Sequence, residues 1–250
     1  MEGNANLSGE EKKQTLRNHN LFREAIDVFK TLNIPWWLDQ GTLLGVIREG
    51  GLLSTDHDLD LGMWMKDYKK VRREIVCRFR QKGVFIETYK PHQLSITDLY
   101  GRLNMINIAF YRHERGRAIK KVYYPVSGRV AEWLIRVVRL CAHAGAGTLE
   151  KKLPLGRKEA LLLAVTKIIP VPLWNFLCYS AGKSHYYFRP FFWMAVHEDF
   201  YLNLETVSVE DLILPVPGNP EAYLEFKYGP EWQIPRKDWV YWKDDGAIIP

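Results

Sequence analysis

Three carboxylates stand at every second position of one short run: Asp56, Asp58 and Asp60 in TDHDLDLG. On a β-strand such positions share one face and lie about 6–7 Å apart. Unit charges at that spacing repel by roughly 2–3 kcal/mol at an effective dielectric near 20. Leu59, Leu61 and Met63 take the opposite face, so the run predicts a half-buried strand with its acids gathered on one side. A bound divalent cation, Mg²⁺ or Mn²⁺, is the simplest counter-charge for that face. For an isolated Asp-x-Asp a merely solvated sheet face is the commoner outcome; here the neighbouring residues shift the balance.

Upstream, Gly41 and Thr42 open a predicted helix whose free amide groups and dipole favour an anion. Arg48 follows two turns later, roughly on the face of Gly41 and Gly45, where a guanidinium can add a bidentate phosphate contact. Gly50 and Gly51 end the helix and return the chain to the acidic strand. An anion site beside a metal site is the chemistry of a metal-dependent transferase acting on nucleotides, in which cations clamp phosphate oxygens.

The stretch WWLDQGTLLGVIREG…TDHDLDLG resembles the signature of the LicD/fukutin family, within the nucleotidyltransferase-fold superfamily. The resemblance implies transfer of a phospho-alcohol, of the phosphocholine or polyol-phosphate type, from a CDP-linked donor to a hydroxyl of a cell-surface glycan or its precursor. It implies that Asp58 and Asp60 hold the metal, with Asp56 as a third ligand or as the base that orients the acceptor hydroxyl. Gly41, Thr42 and Arg48 would then hold the donor diphosphate. Ser54 and Thr55 stand where the family usually has Pro-Trp, and His57 where a further Asp is common. A family Asp that completes the metal site corresponds here to Asn107, flanked by Ile106 and Ile108. An amide oxygen can ligate Mg²⁺ but brings no charge and cannot act as a base, so Asn107 is expected as an outer ligand. The missing carboxylate would come from Asp98 or elsewhere. A Val-Pro, helix, Tyr-Gly, Trp pattern near the C-terminus is similar to the family's as well.

A chain of 250 residues with 47% hydrophobic residues can bury a substantial core. Its net charge of +6 suits phosphorylated donors, anionic glycans or acidic lipid surfaces. Nucleic acid is not expected as a partner, because no zinc-finger, RNP or basic-region motif accompanies that charge. Cys77, Cys141 and Cys178 are far apart and odd in number, as in reduced cytosolic thiols. The first twenty residues are polar and lack the apolar run of a signal peptide, which adds to the expectation of a cytoplasmic protein.

The expected fold is α+β: a nucleotidyltransferase-like mixed β-sheet core flanked by helices (about 10–125), a helical insertion (about 127–200) and a C-terminal closing segment (about 201–250), all one domain over 1–250. Ser8 with Glu11 predicts the cap of a helix reaching about Asn33, and Asp67–Lys82 has helical apolar spacing. Strands are predicted over Val84–Tyr89, Leu94–Leu99, Leu103–Tyr111 and Lys121–Tyr124. In the insertion, Arg129, Arg136 and Arg139 run beside Trp133, and 161–182 is apolar but broken by Lys167, Pro170 and Pro172. That pattern fits a helical subdomain packed on the sheet; the second reading is a basic amphipathic surface lying peripherally on anionic membrane. Aromatic-rich 186–201 is expected as core. Asn219, Pro220 and Gly229 bracket a C-terminal helix expected to close the cleft. Two functional alternatives stay open: a DxD glycosyltransferase using a nucleotide sugar, and a catalytically silent nucleotide- or glycan-binding module.

Overall fold

The computed structural model describes residues 20–53, 56, 58–87, 90–97, 105–125 and 171–249. The predicted Ser8–Glu11 cap, the Arg129–Arg139 row and Asp98 lie outside them.

Helix α1 (Asn20–Thr31) buries Phe22, Ala25, Ile26 and Phe29, the i, i+3, i+4, i+7 set its sequence spells out. Strand β1 (Trp36–Leu38) follows, then α2 (Gln40–Glu49) and the acidic strand β2 (Asp58–Trp64). Gly50, at φ 68°, closes α2 by turning its amide to the Gly45 carbonyl. After α3 (Met65–Gln81) come β3 (Phe85–Glu87), β4 (Gln93–Thr97) and β5 (Met105–Glu114). β5 runs parallel to β2, whereas β1 pairs antiparallel with β2, and β4 with β5, so the sheet is mixed, in the order β1-β2-β5-β4-β3. Leu59 and Leu61 of β2 with Ile106 and Ile108 of β5 face a core closed by α1 and α3, where Tyr68 stacks on Phe110 at 4.2 Å.

β5 then continues past the core into a hairpin. Arg115 (φ 50°) and Gly116 (φ 75°) form its two-residue turn, and β6 (Arg117–Tyr123) returns antiparallel. Lys121–Tyr124 was the expected strand here; the ladder starts four residues earlier because the hairpin, not a loop, joins β5 to β6. Helix α4 (Val171–Phe188) leads into β7 (Phe191–His197), which pairs along all of β6 and makes the sheet seven-stranded. The expectation of core aromatics over 186–201 therefore resolves into a strand: Phe192, Met194 and Val196 are buried, while Phe191 and Trp193 point to the other face. A short helix α5 (Asp199–Leu202), the separate hairpin β8 (Glu205–Val209) and β9 (Leu212–Val216), and helix α6 (Pro220–Tyr228) complete the described chain. α6 has the ends its sequence predicts, with the Asn219 side chain accepting from the Ala222 amide and Pro220 at its first position.

Trp37 joins these layers. Fully buried, it stacks on Tyr201 at 4.3 Å and lies 5.5 Å from the Tyr111 ring. Its indole rests directly on the backbone of Gly62 in β2, so any Cβ there would collide with the ring. Gly62→Ala is therefore expected to cost about 1–3 kcal/mol of stability through overpacking. Urea unfolding measures it, and a variant as stable as the parent would mean that the indole can swing aside.

Candidate active site

β2 places Asp58 and Asp60 on one face, both half-buried, with Asp56 just upstream. Strand register extends this face sideways: Glu87, Ser95, Asn107 and Asp60 are successive partners across β3, β4, β5 and β2. A polar row thus crosses the sheet. At its far end Lys90, itself buried, bridges Glu87 (2.7 Å) and the Ser95 hydroxyl (2.6 Å). In its middle, the Asn107 oxygen accepts from Gln93 (2.6 Å) and Ser95 (2.7 Å), while its Nδ2 donates to Asp58 Oδ2 at 2.6 Å. Two donors on one side and a carboxylate on the other fix the amide's orientation. Asn107 therefore meets the acids with its nitrogen. It is a donor that aims Asp58, and any part in holding a cation passes through that carboxylate.

The centre of the site is a residue outside the acidic strand. Asp39, fully buried, caps α2 by accepting from the Gln40 amide at 2.9 Å. Its carboxylate also accepts from the Tyr111 and Tyr223 hydroxyls, at 2.6 Å each, and from the Lys120 ammonium at 3.0 Å. Burial alone would push Asp39 upward, but the charges of Lys120 and Lys227 and the two tyrosine hydroxyls hold it down at about 2. The backbone amide of Asp39 donates to the Asp60 carbonyl (3.0 Å), and the Asp60 amide donates to Thr42 Oγ1 (2.7 Å). Thr42 thus spends its hydroxyl on locking α2 to β2. Gly41 lies under the Asp56 carboxylate, which a Cβ at that position would displace. Arg48 stands near the other end of α2. Its guanidinium donates to the Trp232 carbonyl (3.4 Å) and Glu49 (2.8 Å), tying α2 to the C-terminal segment.

Charge in this site is unevenly balanced. Lys120 neutralises Asp39, but Asp60 sits beside Asp58, Asp39 and Asp56. Burial first, and then Asp58 and Asp39, raise Asp60 well above the usual carboxylate range, with Lys120 only partly opposing them. An acid raised in the folded state costs stability once pH exceeds its ordinary value, and a cation seated on it would remove that cost. Among the described residues, no three acidic, histidine or cysteine side chains form a closed metal cage. Asp58 and Asp60 are an open pair of oxygen donors, of the hardness Mg²⁺ or Mn²⁺ prefers, where neighbouring acids already raise Asp60. The donor set fits an ion that completes its shell with phosphate oxygens and water.

Signals for the missed residues were present but weak. Asp39 occupies the residue before a helix start, the place of a capping carboxylate. In the strand pair Lys120-Lys121 one ammonium must face inward, because neighbours alternate. Tyr223 and Lys227 lie four apart on α6 and so share the face that meets Asp39.

An acidic strand thus lies inside a mixed sheet with a capped helix seated against it. Residues 33–128 match the family model described as LicD/FKTN/FKRP, nucleotidyltransferase domain. The mouse ribitol-5-phosphate transferase FKTN is 35% identical over 68 residues, 27% of this chain and 14% of that protein. The uncharacterized protein RT0683 of Rickettsia typhi is 32% identical over 79 residues, 32% of this chain and 25% of its own length. Human ribitol 5-phosphate transferase FKRP is 36% identical over 45 residues, 18% of this chain and 9% of that one. This chain thus matches a quarter or less of each relative's length. The antibiotic-resistance factor ANT(2'')-Ia superposes at 13% identity over 68% of this chain and 94% of that one, with a TM-score of 0.31, too low to bear on function.

Two substitutions test this geometry. Asp39→Asn leaves the buried Lys120 without its partner and is expected to cost about 3–5 kcal/mol at neutral pH. The stability Asp39 supplies is complete above the ordinary value of 3.8 and is lost as pH falls toward about 2, so the variant should also lack that acid limb. Parallel acid-melting curves for parent and variant would contradict the hub. Asn107→Asp keeps the acceptors for Gln93 and Ser95 but turns an oxygen toward Asp58. It should lower the melting temperature in EDTA and enlarge the rise produced by Mg²⁺. Equal Mg²⁺ shifts in both proteins would place Asn107 outside the cation's influence.

Proposed function

We propose that the domain transfers a phospho-alcohol group from a CDP-linked donor to a hydroxyl of a glycan. The observation that carries this reading is the gathering of Asp58 and Asp60 on one face of β2 against the N-terminal turn of α2, close enough that burial and the neighbouring acids raise Asp60. The names of the FKTN and FKRP relatives support ribitol-phosphate-type chemistry as the class.

Asp58 and Asp60 would hold Mg²⁺ or Mn²⁺, which when bound supplies charge neutralisation at the donor diphosphate. Asn107 holds Asp58 in place by direct donation. Thr42 fixes the strand through the Asp60 amide, so the donor pair and the α2 N-terminus move as one piece. Asp56, whose carboxylate lies over the bare Gly41, would accept the acceptor's proton. The acceptor oxygen bonds to the phosphorus that bears the alcohol, the phosphoanhydride bond breaks, and CMP leaves with that bonding pair. For Arg48 to touch the diphosphate its guanidinium must exchange the Trp232 carbonyl for a phosphate oxygen, which would couple donor binding to the C-terminal segment.

Isothermal calorimetry with a CDP-linked alcohol tests the reading. Binding is expected with Mg²⁺ and lost in EDTA, and Asp60→Ala should reduce transfer by about 10²–10³-fold or more with the fold retained. Metal-independent binding would contradict the role given to the acidic strand. A UDP-linked sugar outcompeting every CDP donor would favour the glycosyltransferase alternative, and metal binding without turnover the silent module.

A further inference from the structure

Helix α4 wears its apolar side outward. Gly182 and Tyr186 are buried, and Tyr186 packs on Tyr123 of β6 at 5.1 Å. On the opposite side Leu173, Phe176, Leu177, Tyr187 and Phe188 follow helical spacing and face solvent, with Phe176, Tyr187 and Phe188 exposed by 64, 80 and 82%. Only Ser180 and Ser184 interrupt that stripe. A helix on the surface of a water-facing domain shows the reverse pattern, and a contiguous apolar stripe of this size marks a contact surface.

A second, independent feature adjoins the end of α4. On the outer face of β6 and β7, cations and rings alternate. Arg112 lies 5.3 Å from the Trp193 ring and Lys121 lies 3.4 Å from Phe191 and 5.2 Å from Tyr123; Arg189 lies 5.5 Å from that same Tyr123 ring. Among the described residues none of these three cations is paired with an acid. Burial and the proximity of Arg112 lower Lys121, and burial, then Lys121 and Arg112, push the neighbouring His92 down to about 4. In both, the neighbouring cations add to the larger effect of burial. The sequence agrees, for no Asp or Glu occurs from Ala160 to His197.

We infer that α4 and the Arg112–Lys121–Arg189 row together form a peripheral membrane-docking surface, with the apolar stripe entering the interface and the cations meeting acidic phospholipid headgroups. A second copy of the chain would satisfy the apolar stripe but would bring the same uncompensated cations against one another, and anionic lipid satisfies both features. The surface lies on the face of the hairpin opposite Lys120, which points to Asp39, so docking leaves the acidic strand open. Among the described residues no helix is long and apolar enough to cross a membrane, which fits an element lying in the interface plane. The inference stands independently of the reaction carried out at Asp58 and Asp60.

Vesicle flotation decides it. The protein should float with phosphatidylcholine vesicles containing phosphatidylserine and release as salt rises, and should bind pure phosphatidylcholine far more weakly. Phe176→Ser with Phe188→Ser, both at exposed positions, should abolish flotation. Arg112→Gln with Lys121→Gln should weaken partitioning into acidic vesicles about 25-fold, near fivefold per cation. Circular dichroism and urea melts matching the parent establish that each variant is folded, and Tyr187→Ser serves if the first pair is not. Absence of flotation with acidic vesicles, equal binding to neutral ones, or folded variants that float like the parent would overturn the inference. So would a dimer, seen by light scattering, that the Phe176/Phe188 pair dissolves while the parent ignores vesicles.

Discussion

The buried ion pair between Asp39 and Lys120 is the contact on which the rest of the site depends. It joins four parts of the chain that sequence holds far apart: the β1–α2 junction, β5 through Tyr111, β6 through Lys120 and α6 through Tyr223. Burying a carboxylate and an ammonium is expensive, and Coulomb attraction repays the cost only where every remaining lone pair is satisfied. Asp39 meets that condition with a backbone amide, two hydroxyls and an ammonium. The arrangement specifies position more than it adds stability. α2 cannot slide on the sheet without breaking several short bonds together.

That constraint is relayed to the acids. Asp39 and Asp60 exchange backbone contact directly, and Thr42 closes the same ring from the helix side. The acidic strand is thereby held at a fixed height beneath the α2 N-terminus. On its other flank the Glu87–Lys90–Ser95–Asn107 chain braces Asp58. Two supports, each containing a buried ion pair, pin the pair of carboxylates from opposite flanks along the same face of the sheet. A second buried pair, Lys227 with Asp245 at 2.7 Å, anchors α6 so that Tyr223 reaches Asp39. The C-terminal segment is accordingly part of the site and not a cover laid over it.

The acidic strand, α2, α3 and α6 were legible in the sequence because each carries a local signature: alternation, a glycine pair, helical apolar spacing, or paired caps. β2 and β5 also announced which face was polar, and Asp60 and Asn107 do sit side by side. What could not be read was whatever depends on pairing across long separations. FFWMAVH lacks polar alternation, since its outer face is aromatic as well, so β7 resembled undifferentiated core. β8 and β9 are an isolated hairpin whose turn, Glu210-Asp211, lacks the glycine that usually flags one. Asp39 and Lys120 were hidden for a related reason. A buried charge is recognisable only through its partner, and here the partner is 81 residues away.

The central claim is that the acids gathered on one face of β2, Asp58 and Asp60, hold a divalent cation brought into contact with a nucleotide diphosphate. Electron paramagnetic resonance of Mn²⁺ tests it without reference to turnover. Titrating the protein into Mn²⁺ with a CDP-linked alcohol should remove free-ion signal to a limit of one ion per chain, and Asp60→Asn should abolish the effect. An undiminished Mn²⁺ signal in the parent protein, or equal uptake by the variant, would contradict the account.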